Sequence, residues 1–310
     1  MKRYPNVRLL SCCIGACMLI AGCSAASAAP EPTPEITSSL EPEDVSVELI
    51  TAEPAAPAPT PEPTPSPTPE PTPEPTEEPT PEPMVISDAM LEEGFVDSYF
   101  DDAVFVGDSL TRSFSNFVRE KRQRRGAYLG EAQFLGTVSM SVKVASADKA
   151  NPGGVSFTYR GQAVSLTDGI SATGAKKAFL MLGMNDLGYR KWDTVGQEYG
   201  NMIDTIRSKC PDTRVIVLGV LPVTAQFCKN NHVTIETWNT FNDSLKTICE
   251  EHGATFYTFA QELMDENGYL RKTYAEGSFH LQESGELIWV HAMRVFAAAE
   301  QYPDAIIENP

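Results

Sequence analysis

The sequence predicts an α/β domain of the flavodoxin-like kind, with three α/β/α layers and a central parallel sheet. Three observations lead to this. Short apolar runs alternate with longer amphipathic stretches. The runs are apolar throughout rather than at every second position, as strands buried on both faces require. Three of the four stop at glycine or proline, where the chain must turn. Such alternation builds a parallel sheet from right-handed crossovers, and ligands then sit beyond the carboxyl ends of the strands.

The elements follow in order. Ala103-Val104-Phe105-Val106 ends at Gly107 and reads as a buried strand, with a helix over about 109–121 after it. Residues 155–164 read as a hairpin inserted on the scaffold. Ala178-Phe179-Leu180-Met181-Leu182 ends at Gly183, and a helix over 192–209 carries Tyr199, Met202, Ile203 and Ile206 on one face. Val215 to Val220 runs into Leu221-Pro222, and a helix follows over 233–252. Ala254-Thr255-Phe256-Tyr257 follows Gly253, and the last helix is expected over 284–301.

This domain, 84–310, is one of three materials in a chain of 310 residues and net charge −18. Residues 1–22 carry Lys2, Arg3 and Arg8, no acid, and a short apolar stretch from Leu9 to Leu19. They read as an export signal, too short to span a bilayer comfortably. The stretch ends Leu19-Ile20-Ala21-Gly22-Cys23, which resembles the bacterial lipoprotein cleavage signal. That resemblance implies cleavage before Cys23 and acylation of its thiol, so that the protein is anchored to the outer face of the cytoplasmic membrane by lipid. Residues 23–83 are a Pro-Thr-Pro-Glu tract holding 18 of the 24 prolines and 13 of the 42 acids. Proline blocks helix and sheet alike, and little apolar surface is available to bury, so a disordered or extended tether is expected. At about 3.1 Å per residue it would reach on the order of 150–190 Å, the scale of a cell wall.

Beyond the tether the charge is only mildly acidic, and the length suits one sizeable core. The basic run Arg119-Glu120-Lys121-Arg122-Gln123-Arg124-Arg125 fits a solvated helix end, where cations suit the dipole. With no binding motif beside it, nucleic acid is not an expected partner. Once Cys23 is acylated, Cys210, Cys228 and Cys249 remain, which allows at most one disulfide. Their spacing suits no zinc site, and no two histidines have ligand-like spacing, so neither metal nor cofactor is expected. His291 falls on an apolar helix face and reads as a core histidine, while His232 and His252 sit in polar loops. A monomer is expected.

Gly107-Asp108-Ser109-Leu110 sits directly on the end of the first strand. A serine there starts a helix, where backbone N–H groups favour a developing oxyanion, although Asp-Ser is also an ordinary helix cap. Gly183-Met184-Asn185-Asp186 ends another strand, and His280-Leu281 precedes the last helix. Three blocks in this order resemble those of the SGNH/GDSL hydrolase family over roughly 95–300. The resemblance implies Ser109 as nucleophile, His280 as general base, and the Ser109 N–H and Asn185 amide as oxyanion-hole donors. For the third donor it points to Ser139 in Gly136-Thr137-Val138-Ser139, with Gly136 as the alternative. The family's acid, three residues before its histidine, falls here on Gly277. Either Glu276 or a backbone carbonyl is left to orient the imidazole.

The function implied is that of a serine esterase or acylhydrolase acting through an acyl-enzyme. At a cell surface its substrate would be an O-acylated glycan or wall polymer. An O-acyltransferase using the same site and a non-catalytic binding module are the alternatives. No Gly-x-Ser-x-Gly elbow surrounds Ser109, and no phosphate loop is present, which sets aside an α/β-hydrolase and a P-loop enzyme.

Overall fold

A computed structural model describes residues 83–308. The expected signal peptide, Cys23 and nearly all of the tether lie outside the described residues. The central sheet has five strands: β1 (Ala103–Gly107), β2 (Gln133–Gly136), β3 (Lys177–Met181), β4 (Arg214–Leu218) and β5 (Thr255–Tyr257). They pair in the order β2-β1-β3-β4-β5, parallel throughout. This is the flavodoxin-like order, in which the winding reverses between β1 and β3.

Five helices matter for the site: α1 (Ser109–Arg125), α2 (Trp192–Lys209), α3 (Ala225–Asn231), α4 (Ile235–Glu251) and α5 (Glu283–Gln301). Because right-handed crossovers run outward in both directions from the reversal, α1 lies on one face and α2 and α4 on the other. Register explains the core. Phe105 of β1 pairs with Phe134 of β2 and Phe179 of β3, and its ring stacks on theirs at 5.4 and 4.8 Å. Phe114 of α1 meets Phe105 edge-on, and Trp289 of α5 stacks on Phe114 at 4.2 Å. Buried residues on α1 recur as Leu110, Phe114 and Val118, the four-residue spacing of a helix face against a sheet.

The four expected strands and the four expected long helices are all present, as is the hairpin, in strands Phe157–Tyr159 and Gln162–Val164. The fifth strand, β2, was not expected. It is a short edge strand of only four residues, half of them polar or glycine, so no continuous apolar run marks it. Among the described residues, no helix is long and apolar enough to cross a membrane. Cys210, Cys228 and Cys249 are buried and unpaired.

Most of the basic run at the end of α1 is tied down locally. The Arg122 guanidinium donates to the carbonyls of Tyr128, Leu129 and Ala132, Lys121 pairs with Glu283 at 2.7 Å and Arg124 with Glu120 at 2.6 Å. His291 stands 3.4 Å from Asp88 and His252 2.9 Å from Asp204, and His232 ends α3 in the left-handed region.

Candidate active site

The winding reversal between β1 and β3 leaves a crevice at their carboxyl ends, and both strands deliver a site residue into it. β1 ends at Gly107; Asp108 then caps α1 by accepting the Leu110 N–H at 2.9 Å, and Ser109 is the first helical residue. β3 ends at Met181, and the loop beyond it carries Asn185. That loop is held by Asp186, a fully buried carboxylate that accepts the Val142 N–H at 2.8 Å and an Arg190 N–H at 3.0 Å.

His280 arrives from the far end of the chain on a two-stranded antiparallel hairpin, β6 (Ala275–Glu276) and β7 (His280–Leu281). Its tip is pinned to α3, because the Thr224 N–H and hydroxyl each donate to the Ser278 carbonyl at 3.0 Å. Phe279 also packs edge-on against Phe227. So held, His280 Nε2 lies 2.9 Å from Ser109 Oγ. Burial pushes the imidazole pKa below its ordinary value, with the Glu276 charge opposing that shift more weakly. The neutral ring is therefore favoured, and a neutral Nε2 at this distance can take the hydroxyl proton.

The cleft around this pair encloses about 450 Å³. One wall is the first turns of α1, with Arg112, Ser113 and Asn116 beside Ser109. Val138 and Ser139 from the loop after β2 also line it, with Asn185, Phe279 and His280 closing the rest. Ser139 thus lines the cleft with φ +61°, whereas Gly136 ends β2 and does not line it. Glycine at 136 serves packing: a Cβ there would stand 2.5 Å from the Arg112 backbone nitrogen.

The Asn185 amide donates to Asp108 Oδ2 at 3.1 Å and to the Met140 carbonyl at 2.9 Å. Both of its protons already have acceptors, so an oxyanion here would have to share or displace the Met140 contact. Asp108 is buried, which raises its carboxyl to about 7 against the pull of the Leu110 and Asn185 hydrogen bonds. The sequence marks Asp108 only as part of an Asp-Ser helix cap; its link to Asn185 depends on two strands lying side by side.

Glu276 is the direct cross-strand partner of His280, so both side chains leave the same face of the hairpin. Among the described residues, neither Glu276 nor a backbone carbonyl makes a hydrogen bond to the ring's Nδ1. Gly277 begins the three-residue turn with φ +69°, a left-handed geometry in which a side chain is strained. The turn therefore accounts for glycine where the family's acid would stand. Among the described residues, no group of three His, Cys, Asp or Glu side chains could hold a metal.

Comparison with known proteins identifies the family and agrees with the fold. Residues 105–288 match the model of the GDSL-like lipase/acylhydrolase family. A search of curated proteins gives no match. Among solved structures, the chain is similar to a GDSL-like lipase from Bacteroides thetaiotaomicron at 13% identity and TM-score 0.50, covering 69% of this chain and 99% of that one. It is also similar to a candidate acylhydrolase from Bacteroides fragilis at 12% identity and TM-score 0.51, covering 64% and 88%. At such identities the likeness concerns the fold; the family match spans more than half the sequence and contains Ser109, Asn185 and His280. The chain belongs to the GDSL-like lipase/acylhydrolase family.

Proposed function

We propose that this acylhydrolase is a serine esterase that removes O-acyl groups from a glycan or cell-wall polymer. The observation that carries the reading is the 2.9 Å contact between Ser109 Oγ and a His280 Nε2 whose environment favours the neutral ring. Serine is a weak nucleophile until a base accepts its proton. In the proposed cycle Ser109 Oγ attacks the ester carbonyl carbon as its proton passes to Nε2. The tetrahedral oxyanion is met by the Ser109 and Ser139 backbone N–H groups and by the Asn185 amide. Collapse breaks the bond to the alcohol, which leaves with the proton from His280. Water then attacks the acyl-enzyme by the same route, releasing the acid and restoring Ser109. Glu276 acts on His280 through its charge across the hairpin.

The substrate class and place of action rest on the sequence before the domain. Cys23, at the end of a signal-like segment, would be acylated and hold the protein at the outer face of the membrane. A proline-rich tether of about 60 residues would extend the cleft toward the wall. An open cleft lined by Ser113, Asn116 and Asn185 suits a hydroxyl-rich alcohol better than a long acyl chain.

The test is turnover of 4-nitrophenyl acetate and labelling by a fluorophosphonate. Wild type should do both, and Ser109→Ala should lose the label and about 10³-fold or more of kcat. Absence of Ser109-dependent turnover and of labelling would overturn the reading. Release of labelled Cys23-containing lipopeptide from cells fed radiolabelled fatty acid tests the anchor, and a Cys23→Ala protein should take up none.

A further inference from the structure

Arg112 carries a charge that the fold does not use. Apart from Arg125 at its far end, the other cations of α1 are engaged: Arg119 donates to Asn116 Oδ1, Lys121 to Glu283, Arg122 to three carbonyls, and Arg124 pairs with Glu120. The exposed Arg112 side chain makes no hydrogen bond or ion pair among the described residues, and it lines the cleft. No carboxylate lines the cleft with it. It stands three residues beyond Ser109, so the two Cβ atoms lie about 5–6 Å apart on one helix face.

We propose that Arg112 makes this site selective for esters whose alcohol bears an anion, a carboxylate or a phosphate, next to the acylated hydroxyl. The inference rests on the esterase reading above and narrows its substrate to an acidic glycan or wall polymer. A guanidinium offers a planar fork of donors that fits either anion in two parallel hydrogen bonds. The Asn116 amide, whose oxygen is taken by Arg119, keeps its N–H groups for the same ligand. The positive end of α1 adds to the attraction. Because the domain is acidic overall, an anionic polymer would be repelled elsewhere and drawn in at this wall.

The test uses the full chain and three O-acetylated methyl glycosides: a neutral glucoside, a glucuronoside and a glucoside 6-phosphate, with acetate release as readout. Wild type should show kcat/KM about 10-fold or more higher for at least one anionic sugar than for the neutral one, and which one responds identifies the anion. Arg112→Gln should bring that ratio to within about 2-fold of unity, and Arg112→Lys should retain part of it. Arg125→Gln, a charge removed at the far end of α1, should keep the wild-type ratio. Equal rates in wild type, a ratio that survives Arg112→Gln, or equal loss in Arg125→Gln would overturn the proposal. Ser109-dependent release that is equal for all three sugars removes the selectivity alone; no Ser109-dependent release from any ester removes the esterase reading and this proposal together.

Discussion

Asp108 Oδ2 accepts a 3.1 Å hydrogen bond from the Asn185 amide, so a residue leaving β1 holds one leaving β3 across the winding reversal. The same carboxyl caps α1 through the Leu110 N–H. One side chain therefore fixes both the helix that starts at Ser109 and the orientation of the amide opposite it. Asp108→Asn separates these roles, since its oxygen can still cap α1 while its NH₂ would face the Asn185 NH₂, donor against donor. We expect Asp108→Asn to unfold within about 1 kcal/mol of wild type yet to lose roughly 10-fold or more in kcat. Asn185→Ala should lose about 10²–10³-fold. The double variant should lose less than the product of the two, because both act through one amide. Ester kinetics with denaturant melts of the four proteins check this.

The pH profile should report His280. Its pKa is depressed by burial and partly restored by the Glu276 charge. Since the base form is unprotonated, kcat/KM should rise with pH through a midpoint below the ordinary histidine value, with the ionisation of Asp108 at about 7 following above it. Removing the charge in Glu276→Gln removes the opposing influence, so the midpoint should move further down and activity should persist to lower pH. The maximum should fall by less than about 10-fold, far short of the ~10⁴-fold loss when a hydrogen-bonded triad carboxylate is neutralised. A midpoint that rises in Glu276→Gln would contradict this arrangement.

Gly136 tests packing between β2 and α1. Its register partner is Gly107, and a Cβ at 136 would meet the Arg112 backbone nitrogen at 2.5 Å and its Cα at 2.7 Å. Neither contact can yield without moving α1 relative to β2. Gly136→Ala should therefore cost about 1–3 kcal/mol, as overpacking does, and should lower activity by shifting Ser109. Melting curves and kcat together read it; an unaltered protein on both counts would mean that the helix start is more pliable than its contacts indicate.

The fold was legible because its strands are buried on both faces and read as unbroken apolar runs, and Ser109 and Asn185 were legible because they follow two of those runs directly. β2 was not, being a short edge strand in which Gln133 and Gly136 flank two apolar residues. The role of Gly277 also needed the structure, because a left-handed turn residue and a missing acid look alike in a sequence. Glu276 could be named from its spacing, but only the hairpin register sets it directly across from His280. The Asp108–Asn185 bond joins residues 77 positions apart, and no local pattern encodes such a pairing.

Glu286 offers a prediction about stability. It lies in the first turns of α5, is 4% exposed, and its Oε2 has no hydrogen-bond partner among the described residues. Burial, with a smaller push from Glu276, raises its carboxyl to about 8. The sign follows from linkage: between the ordinary carboxylate value and about 8 the folded state holds a proton that the unfolded state has released. Stability attributable to this group is thus full at pH 4 and is lost as pH rises toward 8. Glu286→Gln keeps the shape and has no charge to bury. Its melting temperature relative to wild type should therefore climb across pH 5 to 8.5, by an amount equivalent to a few kcal/mol. At roughly 2–4 °C per kcal/mol for a domain of this size, the gap at the alkaline end should be readily measured. Parallel curves for the two proteins would show that Glu286 does not titrate in this window, and that its burial costs the fold nothing at neutral pH.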